Sequence, residues 1–208
     1  MIFCRAERNE FMNLPNKLTV FRIILVPIMV IIPYLPIEGE FCYVPVTWLL
    51  VTALFVIASI TDKLDGYLAR SRNQVTTFGK FLDPIADKIL VLAAMIMLVE
   101  GARLPAWIPV IVLFREFLVS GYRLIAVQKS GEVIAASIWG KLKTVTQMTG
   151  LIIALVDMNS FGKFIQGNLS GFALALNIAS TAFIAVSVVA TVFSGWDYLK
   201  NGKDLLKD

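Results

Sequence analysis

Residues 59–70 read Ser59-Ile60-Thr61-Asp62-Lys63-Leu64-Asp65-Gly66-Tyr67-Leu68-Ala69-Arg70, and residues 79–88 read Gly79-Lys80-Phe81-Leu82-Asp83-Pro84-Ile85-Ala86-Asp87-Lys88. The apolar run Val46–Ile60 leads into the first stretch, and the apolar run Ile85–Val99 leads out of the second. Four aspartates therefore stand at the joined ends of two apolar segments. An ionised side chain near the centre of a bilayer costs about 2.5–3.5 kcal/mol on insertion scales. If these segments are membrane helices, the aspartates need a compensating partner.

The rest of the chain says that they are. Of 208 residues, 58% are hydrophobic and 16% charged, against about 45–50% and about 25% in a soluble domain. With a mean hydropathy of +0.77, the apolar excess is too large to hide in one core of this size. A spanning helix needs about 20 mostly apolar residues. Six runs approach that length: Leu18–Tyr34, Val46–Ile60, Ile85–Val99, Pro105–Val127, Leu142–Val156 and Phe172–Phe193. The second is expected to continue as helix through Arg70, and the third to start before Asp83. The fold expected is all-α, a polytopic membrane protein with six transmembrane helices. Residues 1–12 read as an N-terminal extension, 13–200 as the membrane catalytic domain and 201–208 as a C-terminal tail. Internal repeats, low-complexity tracts and a cleavable signal peptide are not found.

Six spans place both termini on one side, and Lys and Arg decide which side. The termini, Arg70–Lys80 and Lys129–Lys143 carry most of the 19 basic residues, whereas the opposite loops offer Arg103 and Lys163 beside Glu38, Glu40 and Glu100. The termini and the aspartates are therefore expected to face the cytoplasm. The net charge of +4 then meets anionic lipid rather than nucleic acid. Cys4 and Cys42 fall on opposite sides, which excludes a disulfide between them within one chain. The two are also too few for a thiolate metal cluster.

The chain has no histidine. A triad with an imidazole base and any imidazole metal site are excluded, and a base must come from Asp, Glu, Lys or Tyr. Asp62 and Asp65 are spaced i, i+3, and Asp83 and Asp87 i, i+4, so each pair shares a helix face. Four facing carboxylates repel strongly. For any one of them, pairing with Lys63, Lys80 or Lys88, or solvation among headgroups, is sufficient relief. For all four, with Gly66 and Gly79 interleaved, a hard divalent cation suits oxygen ligands best: Mg²⁺ or Mn²⁺, two ions neutralising four charges.

Asp62-x-x-Asp65-Gly66-x-x-Ala69-Arg70, followed after eight residues by Gly79-x-x-x-Asp83-x-x-x-Asp87, resembles the signature of the CDP-alcohol phosphatidyltransferase family at every position. That resemblance implies the family's six-helix membrane fold over roughly Asn13–Lys200. It also implies transfer of a phosphatidyl group from a CDP-linked donor to an alcohol, with loss of CMP. By the same resemblance Asp62, Asp65, Asp83 and Asp87 are metal ligands and Asp87 is the base on the acceptor hydroxyl. Asp65, Gly66, Ala69, Arg70 and Gly79 are donor-binding residues for the cytidine diphosphate. A homodimer in the bacterial cytoplasmic membrane is implied too, and small residues in Gly171–Ala190 could support helix packing.

The acceptor is read from other charges. Arg115 and Arg123 lie two helical turns apart in the fourth span, and Lys141 and Lys143 open the fifth. Basic groups inside helices want an anionic partner, and Glu116 is expected to neutralise only one of them. A phosphate pocket is the functional reading; side chains snorkelling to lipid headgroups are the plainer one. Arg115-Glu116 with Arg123, Gly140-Lys141-x-Lys143-Thr144 with Gln147, and Asn13-x-Pro15-Asn16-x-x-Thr19-x-x-Arg22 resemble the branch of the family that forms phosphatidylglycerol phosphate. The acceptor implied is sn-glycerol 3-phosphate, and Arg22 would reach either its phosphate or a lipid headgroup. Phosphatidylglycerol (as in cardiolipin synthesis) or an inositol phosphate is the alternative acceptor. A cation transporter is the alternative from another class, but it would spread carboxylates through the membrane depth.

Overall fold

The computed structural model describes residues 14–71, 77–130, 137–167 and 169–201. Each of the six apolar runs is a helix: α1 (Leu14–Ile31), α2 (Val46–Ser71), α3 (Thr77–Glu100), α4 (Trp107–Ser130), α5 (Ile138–Val156) and α6 (Gly171–Asn201). The second does run through Arg70 and the third does begin before Asp83. The extension, the tail and Cys4 lie outside the described residues; Cys42 is a free, exposed thiol. Among the described residues, two helical stretches are long and apolar enough to cross a bilayer, Asn16–Tyr34 and Gly171–Lys200. The other helices carry charges within them: Asp62, Lys63 and Asp65 in α2, Asp87 and Lys88 in α3, Arg115, Glu116 and Arg123 in α4, and Lys141 and Lys143 in α5. What lowers their apolarity is the set of side chains to which chemistry was assigned.

The chain divides into two compact units, Met1–Ala94 and Met95–Asp208. In the first, α1 packs against α2. Asn16, Thr19, Arg22, Val26 and Met29 are buried at steps of three and four residues, and Phe21, Ile24, Ile28 and Ile31 are exposed. This helix keeps its polar side chains inside and its largest apolar ones outside. α2 buries Thr47, Val51, Phe55, Ala58 and Thr61 on one stripe and exposes Leu50, Ile57, Ile60 and Leu64. Between α1 and α2 the segment expected to be a plain turn-rich loop contains a hairpin, β1 (Glu40–Phe41) and β2 (Val44–Pro45), with Phe41 opposite Val44. Its two-residue turn puts Cys42 at φ 50° and Tyr43 at φ 67°. Such a turn favours Asn-Gly, a pair that Cys42-Tyr43 does not supply.

In the second unit α6 packs along α5 and also against α4. The inverted pattern recurs. Asn177, Ser180, Ser187, Thr191 and Ser194 are buried, and Phe172, Val186, Val189, Val192 and Trp196 are exposed. The buried hydroxyls satisfy themselves on the helix: Ser187 Oγ donates to the Ile184 carbonyl at 2.8 Å and Thr191 Oγ1 to the Ser187 carbonyl at 2.6 Å. Small side chains of this kind let two helix backbones approach. The approach is closest at Gly150, where a Cβ would lie 3.0 Å from Ile184 Cγ1 and 3.1 Å from the Ile184 nitrogen. The small residues of α6 therefore serve packing inside the chain.

At the other end of α5 a polar lock joins three segments. Asp157 is 2% exposed. Its Oδ1 accepts from the Asn159 backbone N–H and from Asn159 Nδ2, each at 3.0 Å. Its Oδ2 accepts from Asn177 Nδ2 at 2.9 Å and from Ser180 Oγ at 2.7 Å. Arg103, expected to be a solvated loop charge, is buried instead. Its Nη1 donates to the Leu155 and Asp157 carbonyls at 3.3 and 3.2 Å, and its own carbonyl accepts from the Phe161 N–H at 3.0 Å. Burial lowers the Arg103 pKa to about 10 against the opposing charge of Asp157, so the guanidinium stays protonated at neutral pH. The end of α5 covers it and lends it both main-chain oxygens.

Three substitutions test this frame by thermal or denaturant unfolding in detergent. Gly150→Ala is expected to destabilise by about 1–3 kcal/mol through overpacking, despite the better helix propensity of alanine. Gly140→Ala, whose Cβ would meet nothing nearer than 3.4 Å, is expected to be neutral or stabilising. Asp157→Ala strands four donors beside a buried guanidinium and is expected to cost about 3–5 kcal/mol, whereas an exposed carboxylate removed elsewhere should cost little.

Candidate active site

The aspartate signature lies entirely on helix. Asp62, Asp65, Gly66, Ala69 and Arg70 occupy the last turns of α2, and Gly79, Asp83 and Asp87 the first turns of α3. Helical backbone through both stretches preserves the i, i+3 and i, i+4 register on which the reading of shared faces rests. The side chains of Asp65, Ala69, Arg70 and Asp83, and the surroundings of Gly66 and Gly79, lie outside the described residues. Two carboxylates are described. Asp62 is partly buried, one helical turn beyond the buried Ala58; Asp87 is exposed.

Asp62 has a partner that sequence reading did not pair with it. Arg22 Nη1 donates to Asp62 Oδ1 in an ion pair between α1 and α2. Arg22 is wholly buried, so it faces neither headgroups nor solvent. Its placement follows from the opening segment: Asn16, Thr19 and Arg22 recur every three residues and form the buried polar stripe of α1. The signal was in the sequence as that spacing, but a partner forty residues away was not.

The donors fit a hard cation in kind: carboxylate oxygens, with no competing imidazole in the chain. Among the described residues no three metal-binding side chains converge.

A second constellation is fully described. On α4, Arg115 Nη1 donates to Glu116 Oε1 at 3.0 Å, and Lys143 Nζ from α5 donates to the same oxygen. One carboxylate thus serves both cations, where the sequence reading allowed it only one. Arg115 Nη2 also donates to Ser194 Oγ of α6. The side chains of Arg115 and Lys143 are only 11% and 9% exposed, so two cations and one carboxylate meet largely out of solvent. Arg123 Nη2 donates to the Tyr198 hydroxyl at 2.7 Å. The guanidinium carbons of Arg115 and Arg123 lie 6.0 and 5.5 Å from the Tyr198 ring centre, so the two arginines do share a helix face.

Two glycines stand beside Arg115. A Cβ at Gly140 would stand 3.4 Å from its Nη2, and one at Gly195 3.6 Å from its Cγ. Beside it Trp139 stacks on Phe193, with ring centres 5.0 Å apart. Of the four residues assigned to the acceptor, Arg115 and Lys143 meet on Glu116 and Arg123 joins through Tyr198. Lys141 is exposed, and no described contact ties it to the cluster. Sequence reading missed Ser194 and Tyr198; their signal was the three- and four-residue polar spacing of α6.

Comparison with known proteins agrees with the signature. The family model for CDP-alcohol phosphatidyltransferase matches residues 12–193. A Bacillus subtilis protein named CDP-diacylglycerol–glycerol-3-phosphate 3-phosphatidyltransferase is 42% identical over 200 residues, covering 94% of this chain and 97% of its own length. Proteins of the same name from Haemophilus influenzae and Rickettsia bellii are 38% and 36% identical, covering 94% and 90% of this chain and 96% and 94% of their own. With the signature intact on helix and the match running almost from end to end, the chain belongs to the CDP-alcohol phosphatidyltransferase family.

Proposed function

We propose that the protein transfers a phosphatidyl group from CDP-diacylglycerol to sn-glycerol 3-phosphate, giving phosphatidylglycerol phosphate and CMP in phospholipid biosynthesis. The observation that carries this reading is the near-full-length similarity to relatives named for one activity. The Arg115–Glu116–Lys143 cluster supports the acceptor. Two cations held together in desolvated surroundings suit a phosphate monoester, and charge-assisted hydrogen bonds strengthen where water is excluded. Arg123 adds a further positive charge.

In the reaction the acceptor's primary hydroxyl oxygen forms a bond to the phosphatidyl phosphorus, and the bond from that phosphorus to the CMP oxygen breaks. Asp87 takes the hydroxyl proton, since a chain without histidine must use a carboxylate or a lysine or tyrosine for that step. Asp65, Gly66, Ala69, Arg70 and Gly79 bind the cytidine diphosphate, Arg70 meeting its phosphate charge. Asp62, Asp65, Asp83 and Asp87 hold divalent metal, Mg²⁺ or Mn²⁺ and two ions by charge count. Bound metal supplies charge neutralisation for the pyrophosphate and its departing half. Arg22 holds Asp62 in place from the buried side.

The site works at a membrane surface. Polar-inside, apolar-outside patterning of α1 and α6 supports a lipid surround, because large exposed side chains such as Phe172, Val189 and Trp196 have no other suitable solvent. We read the chain as six spans in the bacterial cytoplasmic membrane, with the aspartates and both termini toward the cytoplasm. The donor's acyl chains then remain in lipid while its nucleotide meets the aspartates.

Asp87→Asn is expected to lower CMP release by about 10²–10⁴-fold with the thermal midpoint unchanged, because the side chain is exposed; near-normal turnover would remove Asp87 from the chemistry. Arg115→Ala is expected to raise KM for glycerol 3-phosphate about 10–100-fold, as loss of a charged hydrogen bond of about 1.5–3 kcal/mol requires, while KM for CDP-diacylglycerol holds. A change confined to the donor would place the acceptor pocket elsewhere.

A further inference from the structure

Gln147 is 2% exposed, and neither its amide oxygen nor its amide nitrogen has a hydrogen-bond partner. Hydroxyls of α5 and α6 are not left this way: Thr146 Oγ1 donates to the Leu142 carbonyl at 2.8 Å, and Ser187, Thr191 and Ser194 all have partners. A buried carboxamide with both ends unmatched is costly.

Its position suggests what would satisfy it. Gln147 follows Lys143 by one helical turn, about 5.4 Å along α5 on the same face, and that face is the buried one. Lys143 is tied to Glu116, and Glu116 to Arg115, whose Nε is likewise buried without a partner. The charged groups suit a phosphate. A carboxamide suits a different group: it offers one acceptor and one donor side by side, which matches a hydroxyl that both donates and accepts. One turn of helix is about the reach from a phosphate, across one or two carbons, to such a hydroxyl.

We infer that Gln147 binds the acceptor's secondary hydroxyl, the one that does not react, and is a specificity-determining residue for a vicinal hydroxyl beside a phosphate. This rests on the acceptor reading above. Arg115 and Lys143 select the phosphate, and Gln147 selects the alcohol next to it. An acceptor lacking that hydroxyl leaves the carboxamide buried and unmatched, which is how a polar site rejects a smaller analogue.

The test compares glycerol 3-phosphate with 1,3-propanediol monophosphate, which keeps the phosphate and the primary hydroxyl but lacks the secondary one. Full-length protein in mixed micelles with CDP-diacylglycerol and Mg²⁺ is assayed for CMP release. Wild type is expected to favour glycerol 3-phosphate by about tenfold or more in kcat/KM, tenfold being about 1.4 kcal/mol. In Gln147→Leu, and in Gln147→Met as a second apolar replacement of similar length, the preference should fall to about twofold or less. The loss should lie in glycerol 3-phosphate, with propanediol monophosphate used as well as by wild type and the donor's KM unchanged. Both variants should unfold at higher temperature than wild type, since each removes unmatched buried polar atoms. Retention of the wild-type preference in a folded variant would overturn the role of Gln147 alone. Equal use of both acceptors by wild type would also overturn it. Failure of wild type to release CMP with glycerol 3-phosphate would overturn the proposed reaction itself.

Discussion

A charge inside an apolar helix persists only where another group meets it, and among the described residues such meetings tie helices and loops together. Asp62 on α2 is met by Arg22 on α1. Arg115 on α4 and Lys143 on α5 are met by a single carboxylate on α4. Arg103, between α3 and α4, is met by carbonyls at the end of α5 and by the nearby charge of Asp157. Removing one partner from a desolvated pair costs more than the pair contributes. Each pairing therefore specifies which helices lie together more sharply than apolar contact can, since lipid tails are as apolar as leucine.

The pairings differ in how fully they are closed. Around Asp157 every oxygen is spoken for by named donors, and the assembly reads as a lock. Around Glu116 two cations share one oxygen, and one turn further along α5 a carboxamide is unmatched. Long side chains from α4 and α5 and a hydroxyl from α6 gather there, and their length and donors suit a ligand.

Hydropathy made all six helices legible, since apolar runs near spanning length have few other uses, and helical continuation carried α2 through its aspartates to Ser71. The acidic signature was legible because four carboxylates at helical spacing have few physical explanations. Pairings were not. Arg22 and Asp62 are forty residues apart, and nothing local selects one aspartate from four. Arg103 looked like a solvated loop charge because its burial depends on carbonyls from a distant loop. Lys141 and Lys143 look equivalent in sequence, yet residues two apart on a helix point to different sides, so only one can join the cluster. The hairpin at Cys42-Tyr43 was hidden because it uses side chains where its backbone favours Asn-Gly.

The alignment of α5 with α6 links packing to chemistry. Gly150 lies against Ile184, and Gly140 lies near Ser194. Ten residues separate the two positions on each helix, about 15 Å of rise, and the order is reversed, so the helices run antiparallel in fixed register. Gly150 sets how closely they approach. Gly140 and Gly195, at the far end of the same contact, stand beside Arg115 where it extends from α4. Widening the approach at Gly150 would act as a lever on Ser194 and hence on the guanidinium that it holds. The cluster assigned to the acceptor thus depends on a glycine that touches no ligand, because in an apolar solvent shape and hydrogen bonds, rather than hydrophobic collapse, fix where a helix sits.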